Sequence, residues 1–154
     1  EPTTGVDPVT RQDFWQLIIR LAGGENLEPV TVLISTPYMD EAARCSRVGF
    51  LRQGHLLVEG TPAELRALIG LNRVLELRGQ PLLPLRQAAR QVPGVADAML
   101  FGDRIHLRLA VDADEPFLAD LRRRVDETGG EVSSLRTVPP QLEDVFMTLV
   151  EDNP

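Results

Sequence analysis

The sequence predicts an α/β chain built in two parts, and three observations carry that expectation. Val30 to Ser35 is an apolar, β-branched run without polar alternation, which suits a strand buried on both faces of a parallel sheet. After Gly70 the runs alternate instead, as in Arg73 to Arg78 and Arg104 to Ala110, which suits antiparallel strands with one packed face. The later elements follow the order β-α-β-β-α-β, a split βαβ plan with a four-stranded antiparallel sheet, and a last helix closes the chain. The parts cover residues 1–70 and 71–154.

Each element has a local reason. Asp7-Pro8 predicts a helix start, with Asp as N-cap and Pro at the first helical position. Phe14, Leu17, Ile18 and Leu21 then recur at helical spacing, and Gly23-Gly24 stops the helix before a loop. After the Val30–Ser35 strand, Thr36-Pro37 caps a helix whose first turn carries Asp40 and Glu41, where carboxylates suit the positive helix end. Val48 to Leu51 and His55 to Gly60 are strands joined at Gln53-Gly54. Thr61, Pro62 and Glu64 form a capping box, and Gly70 ends that helix. In the second part, residues 84–92 predict a short helix. Gly102-Asp103 joins two strands as a hairpin. On the second of them Ile105, Leu107 and Leu109 share one face, while Arg104, His106 and Arg108 share the other. Phe117, Leu121 and Val125 lie four apart on a helix ended by Gly129-Gly130. Residues 131–138 form a fourth strand, and Leu142, Val145, Phe146 and Leu149 share one face of the last helix.

Composition removes several function classes. The chain has 154 residues, a formal charge of −7 and one cysteine, Cys45, so no intrachain disulfide can form. No apolar run approaches the ~18 residues of a membrane helix. The acidic balance argues against nucleic-acid binding through bulk charge. An RNA-recognition sheet would also need stacking aromatics, which "VLELR" and "RIHLRLA" lack. No His/Cys cluster has metal-ligand spacing. Asp112 to Glu115 reads as a helix cap and Arg122 to Arg124 as a solvated helix face. Every basic residue is Arg, so the Lys-containing phosphate-cradling loop, Gly-x-x-x-x-Gly-Lys-Ser/Thr, does not occur here.

Three segments carry a resemblance. "EPTTGVDP", "ISTPYMDEA" and "GHLLVEGTPAEL" stand in the order and at the spacing of the Walker B end and D-loop, the switch strand with its H-loop, and the stretch after it, in ATP-binding cassette ATPases. Residues 1–70 thus resemble the C-terminal part of an ABC ATPase domain, a partial parallel-sheet remnant of a P-loop ATPase fold. Residues 71–154, closing on Leu-Glu-Asp-Val-Phe at Leu142 to Phe146, resemble the ferredoxin-like accessory domain of two-component exporter ATPases. The opening on Glu1-Pro2 without Met fits a piece of a longer protein.

The resemblance implies roles. Glu1 matches the catalytic carboxylate that polarises the water attacking the γ-phosphate. Gly5, Val6 and Asp7 match the D-loop, which packs across a pair of ATPase domains; Asp7 also serves as an N-cap. Pro37 stands where the family usually has a His that reaches the γ-phosphate. Proline offers neither a side-chain donor nor a backbone N–H, so the site reads as degenerate. His55 and His106 read as ordinary surface or packing histidines.

The implied parent is an exporter subunit on the inner face of the cell membrane, using ATP and Mg. Its partners are a membrane permease and a second ATPase domain, as a homodimer or a tandem cassette. The chain alone, without a P-loop, is expected to need no cofactor and to be inactive. With parallel-sheet neighbours missing, its first part is expected to pair, swap or partly disorder. An alternative stays open: residues 71–154 as a small-molecule-sensing or dimerisation module, since this plan serves both and fold alone does not give function.

Overall fold

The computed structural model describes residues 1–23, 28, 30–70 and 72–152. The chain forms two compact units, Glu1–Arg44 and Cys45–Pro154.

The first unit holds two helices, α1 (Pro8–Gly23) and α2 (Met39–Ala42). The start of α1 is as expected. Asp7 Oδ1 accepts the backbone N–H groups of Val9 and Thr10 at 3.0 and 3.1 Å. Its burial differs from the predicted stripe: Trp15 is the buried residue of α1, whereas Leu17 and Ile19 are exposed. The predicted stop falls partly on Gly24, and the following loop on residues 25–29, of which 24–27 and 29 lie outside the described residues.

Two expectations for this unit are corrected. Val30–Ser35 forms no strand. The segment has the residues for a buried strand, but a ladder needs a partner, and no described residues of the chain pair with it. Val30, Val32 and Leu33 are accordingly exposed. The next helix starts at Met39, with Tyr38 as its N-cap, so Pro37 lies outside it. Thr36 does not cap that helix; its hydroxyl is used elsewhere, as described below.

The second unit opens with an antiparallel hairpin, β1 (Val48–Arg52) and β2 (His55–Gly60). Its turn residues Gln53 and Gly54 both have positive φ, 50° and 80°, as a tight primed turn requires. Helix α3 (Pro62–Ala67) carries the predicted capping box. The Thr61 hydroxyl accepts from the Glu64 N–H at 3.2 Å, and the Glu64 carboxylate accepts from the Thr61 N–H at 2.8 Å.

Then come β3 (Val74–Gln80), α4 (Leu82–Arg90), β4 (Val95–Phe101), β5 (Arg104–Leu109), α5 (Glu115–Asp126), β6 (Glu131–Thr137) and α6 (Leu142–Asp152). Helix α4 begins two residues earlier than predicted. Pro84 falls in its first turn, where a missing N–H breaks no helical hydrogen bond. The sheet order is β4-β5-β3-β6 and every pairing is antiparallel, the arrangement of a ferredoxin-like domain. Asp114 caps α5, its carboxylate accepting from the Phe117 N–H at 2.9 Å. Among the described residues both sheets of the chain are antiparallel.

The core of this unit lies between one face of the four-stranded sheet and helices α4 and α5. Leu75, Leu77, Ile105, Leu107 and Leu109 from the strands meet Leu85, Ala89, Leu121 and Val125 from the helices. Register places Leu75 opposite Leu107 and Leu77 opposite Ile105. A bulge at Arg78/Gly79 lets β3 follow β6. A Cβ on Gly79 would stand 2.4 Å from the Glu131 carbonyl oxygen and 2.7 Å from Leu85 Cδ1, so the strand needs glycine there.

Helix α6 explains why the compact unit begins at Cys45, ahead of the change in strand pattern near residue 70. It packs against α3. Phe146 meets Phe50 of β1 edge to face, with centroids 5.4 Å apart. Arg52 donates to the Val150 carbonyl at 2.7 Å, where a cation suits the negative helix end.

Candidate functional site

The residues predicted to carry chemistry lie in two stretches of the first unit, 1–7 and 34–41. Glu1 is exposed, and its carboxylate accepts from the Thr4 hydroxyl at 3.3 Å. Thr3 and Val6 close a turn, the Val6 N–H donating to the Thr3 carbonyl at 3.1 Å, with Gly5 at φ 76° inside it. Asp7 follows as the α1 cap. Its carboxyl is held below the ordinary value, first by the Thr10 hydroxyl and then by the backbone N–H of Thr10. Pro37 is exposed, just ahead of the short α2.

One residue that sequence reasoning treats only as a first-turn acid joins these stretches. Glu41 is fully buried. Its Oε1 accepts from the Thr3 hydroxyl, from Arg11 Nε at 2.8 Å and, more distantly, from the Trp15 indole N–H at 3.5 Å. Its Oε2 accepts from the Thr36 hydroxyl at 2.6 Å. Thr36 in turn accepts from the Tyr38 N–H at 3.1 Å. Burial pushes the Glu41 carboxyl up, but the hydrogen bonds from Thr3, Thr36, Trp15 and Arg11 outweigh it and leave the carboxyl below its ordinary value. Arg11 also pairs with Asp40 at 2.8 Å and lies over the Tyr38 ring. Nothing in the local pattern announces this role. The weak signal is Thr3, Arg11 and Trp15, donors placed near a turn and on one helix.

The second unit holds another polar centre, on the sheet face opposite the helices α4 and α5. Glu76 on β3 is buried there. It accepts from Arg78 Nε at 3.0 Å and from Arg136 Nε and Nη2 at 3.1 and 2.9 Å, with Arg104 Nη1 at 3.4 Å. Burial raises its carboxyl, yet the bonds from Arg136 and Arg78 bring it below the ordinary value. His106 is a packing histidine, buried between Glu76 and Asp144 at 4.0 and 3.8 Å and lying against the Phe101 ring. Asp144 belongs to α6, as does Thr148, which accepts from Arg108 at 3.1 Å. The strand face predicted to be polar is therefore polar but covered. His55, by contrast, is exposed. Asp112 to Glu115 caps α5 as expected, and Arg123 and Arg124 pair with Asp120 on the surface of that helix.

Among the described residues no group of three or more His, Cys, Asp or Glu could hold a metal ion, and no helix is long and apolar enough to cross a membrane.

Comparison with known proteins gives the family. Residues 60–150 match the family of ATP-binding protein DrrA1-3-like, C-terminal domain. The chain is 32% identical over 151 residues to the probable multidrug ABC transporter ATP-binding protein YbhF of Escherichia coli, covering 97% of this chain and 24% of that protein. It is 31% identical over 153 residues to the daunorubicin resistance ATP-binding protein DrrA2 of Streptomyces coeruleorubidus, covering 97% and 46%. It is 32% identical over 155 residues to the daunorubicin/doxorubicin resistance ATP-binding protein DrrA of Streptomyces peucetius, covering 97% and 44%. The chain thus spans a quarter to a half of the length of these relatives. It belongs to the ABC transporter ATP-binding proteins that carry a DrrA1-3-like C-terminal domain.

Proposed function

We propose that this chain is part of the ATP-binding subunit of an exporter, which couples ATP binding and hydrolysis to transport through a partner permease at the inner face of the cell membrane. The observation that carries the reading is the order of three segments, "EPTTGVDP", "ISTPYMDEA" and "GHLLVEGTPAEL", ahead of the matched C-terminal domain. Residues 1–70 are the end of the ATPase domain, a remnant of its parallel sheet, and residues 71–154 are the accessory domain. The exposed side chains of Val30, Val32 and Leu33 support the remnant reading, since such a run suits a strand covered by neighbours.

Within that reading Glu1 polarises the attacking water, and Gly5, Val6 and Asp7 meet a second ATPase domain. The residues present do not suit a whole nucleotide site. They include a carboxylate and a D-loop turn but no lysine and no glycine-rich phosphate cradle. ATP and Mg would be gripped by other parts of the longer protein. Pro37 leaves the γ-phosphate without a side-chain donor from this segment, so turnover at this site is slow. The face of the accessory domain that could have held a small molecule is occupied by the Glu76 cluster and by Asp144 and Thr148 of α6. This favours a structural or dimerising role for that domain over sensing.

Calorimetric titration of Mg·ATP tests the reading. The 154-residue chain is expected to show no micromolar binding, and the longer protein that contains it is expected to bind. Micromolar binding by the chain overturns the division of labour. No binding by the longer protein overturns the ATPase assignment. In the longer protein, Pro37→His is expected to raise ATP turnover at unchanged ATP affinity; an unaltered rate would remove the degenerate-site reading.

A further inference from the structure

We propose that Glu41 is a positioning residue that couples the D-loop stretch to the switch segment, an inference that rests on the ATPase reading above. The two stretches are far apart in sequence, and each presents one threonine hydroxyl to the same buried carboxylate. Thr3 sits in the turn that leads into Gly5, Val6 and Asp7, and it is itself buried. Thr36 directly precedes Pro37. Thr3 bonds Oε1 and Thr36 bonds Oε2, so the two oxygens of one rigid, planar group fix the spacing of the stretches.

The chemistry of the donors makes this a coupling rather than a generic ion pair. A carboxylate only accepts, and hydroxyl donors satisfy it only in narrow distance and angle ranges. Arg11 supplies the compensating positive charge, and Trp15 supplies an indole N–H, both from α1. The two threonine tethers can therefore shift without stranding a bare buried charge. If Thr36 moves when nucleotide arrives near Pro37, Oε2 must follow or lose its hydroxyl. Either response rotates the carboxylate against Thr3. The result is a mechanical link between the group beside one γ-phosphate and the turn that faces the second ATPase domain.

Trp15 offers a direct reporter, because its indole N–H points to the same carboxylate and it is the chain's one tryptophan. The experiment uses the longer ATP-binding protein labelled with 5-fluorotryptophan, with the Trp15 fluorine resonance assigned by Trp15→Phe. Mg·ATP is expected to shift that resonance in the wild type. In Thr36→Val the shift is expected to disappear while the ATP dissociation constant stays within about threefold, since the lost hydrogen bond lies off the nucleotide. Thr3→Val and Thr36→Val are each expected to lower turnover by about tenfold. The double variant should be no slower than the slower single, because both tethers act through Glu41.

Glu41→Gln keeps the shape and one acceptor and is expected to behave like the threonine variants, with kcat reduced and KM retained. Three results would overturn the coupling: an ATP-dependent Trp15 shift that persists in Thr36→Val, turnover losses that multiply in the double variant, or changes confined to KM or thermal stability. If the wild-type longer protein fails to bind ATP at all, the ATPase reading falls first and the coupling falls with it.

Discussion

Glu41 and Glu76 are both buried carboxylates held below their ordinary pKa, yet they are built from different materials. The donors to Glu41 include two threonine hydroxyls, an indole N–H and the Arg11 guanidinium. Those donors sit on a turn, a helix and a stretch without regular structure. Glu76 collects three guanidinium groups, from Arg78, Arg104 and Arg136, all mounted on strands β3, β5 and β6, whose register is fixed by the sheet. Hydroxyl donors hold an anion through geometry, and charged donors hold it through field. A field tolerates small displacements because Coulomb energy falls slowly with distance, whereas a hydrogen bond to a hydroxyl does not. The sheet carboxylate is thus suited to fastening, and the loop carboxylate to registering position.

The largest expected effect is on the sheet. Glu76→Ala removes the shared anion from three partly exposed arginines and is expected to destabilise the second unit by about 2 kcal/mol. Hydrogen exchange at the β3 and β5 amides would measure it. Arg136→Ala, at a side chain 63% exposed, is expected to cost under ~1 kcal/mol, because water and two other guanidiniums remain to serve Glu76. Equal losses in the two variants would remove the shared-anion account.

How much of this contrast could be read in the sequence differs between its parts. The turns at Gln53-Gly54 and Gly102-Asp103, the caps at Asp7, Thr61 and Asp114, and the ferredoxin-like order were all legible. Each depends on residues within a few positions of one another. The Glu76 centre was not legible, because alternation shows which side chains share a face and is silent on what covers that face. Alternation places His106 and Arg108 on one strand face, with His106 a surface or packing histidine. They are buried because α6, whose apolar residues need a surface, supplies Asp144 and Thr148 against them. The role of Glu41 is hidden from local sequence for a related reason. An acidic residue in a first helical turn already has a local explanation, and its donors Thr3, Arg11 and Trp15 are brought to it only by tertiary structure. Val30–Ser35 is the converse case, a strong local strand pattern without a partner among the described residues.

Acid and salt sharpen the comparison with a smaller effect. Both folded-state pKa values lie below the ordinary 4.5. Each carboxylate therefore contributes stability that is complete above that value and is lost as pH falls through the lowered folded value. Both Glu76→Gln and Glu41→Gln should flatten the acid limb of their own unit's stability. Raised salt should separate them. The arginines around Glu76 are partly exposed and their attraction is screened, so its contribution should shrink. The hydroxyl bonds to Glu41 should be almost indifferent, which leaves the Arg11 pair to be screened there and makes the loss at Glu41 the smaller of the two. An equal response to salt at both sites would contradict the distinction between field and geometry.

Asp144 gives the finest test, because it sits in the fastening unit yet has the bonding of the registering one. Its Oδ2 accepts the Gln141 backbone N–H at 2.7 Å at the start of α6, and its Oδ1 stands 3.8 Å from His106 Nδ1. No guanidinium is bonded to it among the described contacts. Asp144→Ala deletes the acceptor for a backbone N–H at a helix start and is expected to cost about 1 kcal/mol. Asp144→Asn keeps a carbonyl oxygen for Gln141 and is expected to cost less than half of that, with little salt dependence in either variant. Hydrogen exchange confined to the first turn of α6 would show the loss. A loss for Asp144→Asn as large as for Asp144→Ala, and relieved by salt, would mean that α6 is fastened to the sheet by charge, placing Asp144 with Glu76 rather than with Glu41.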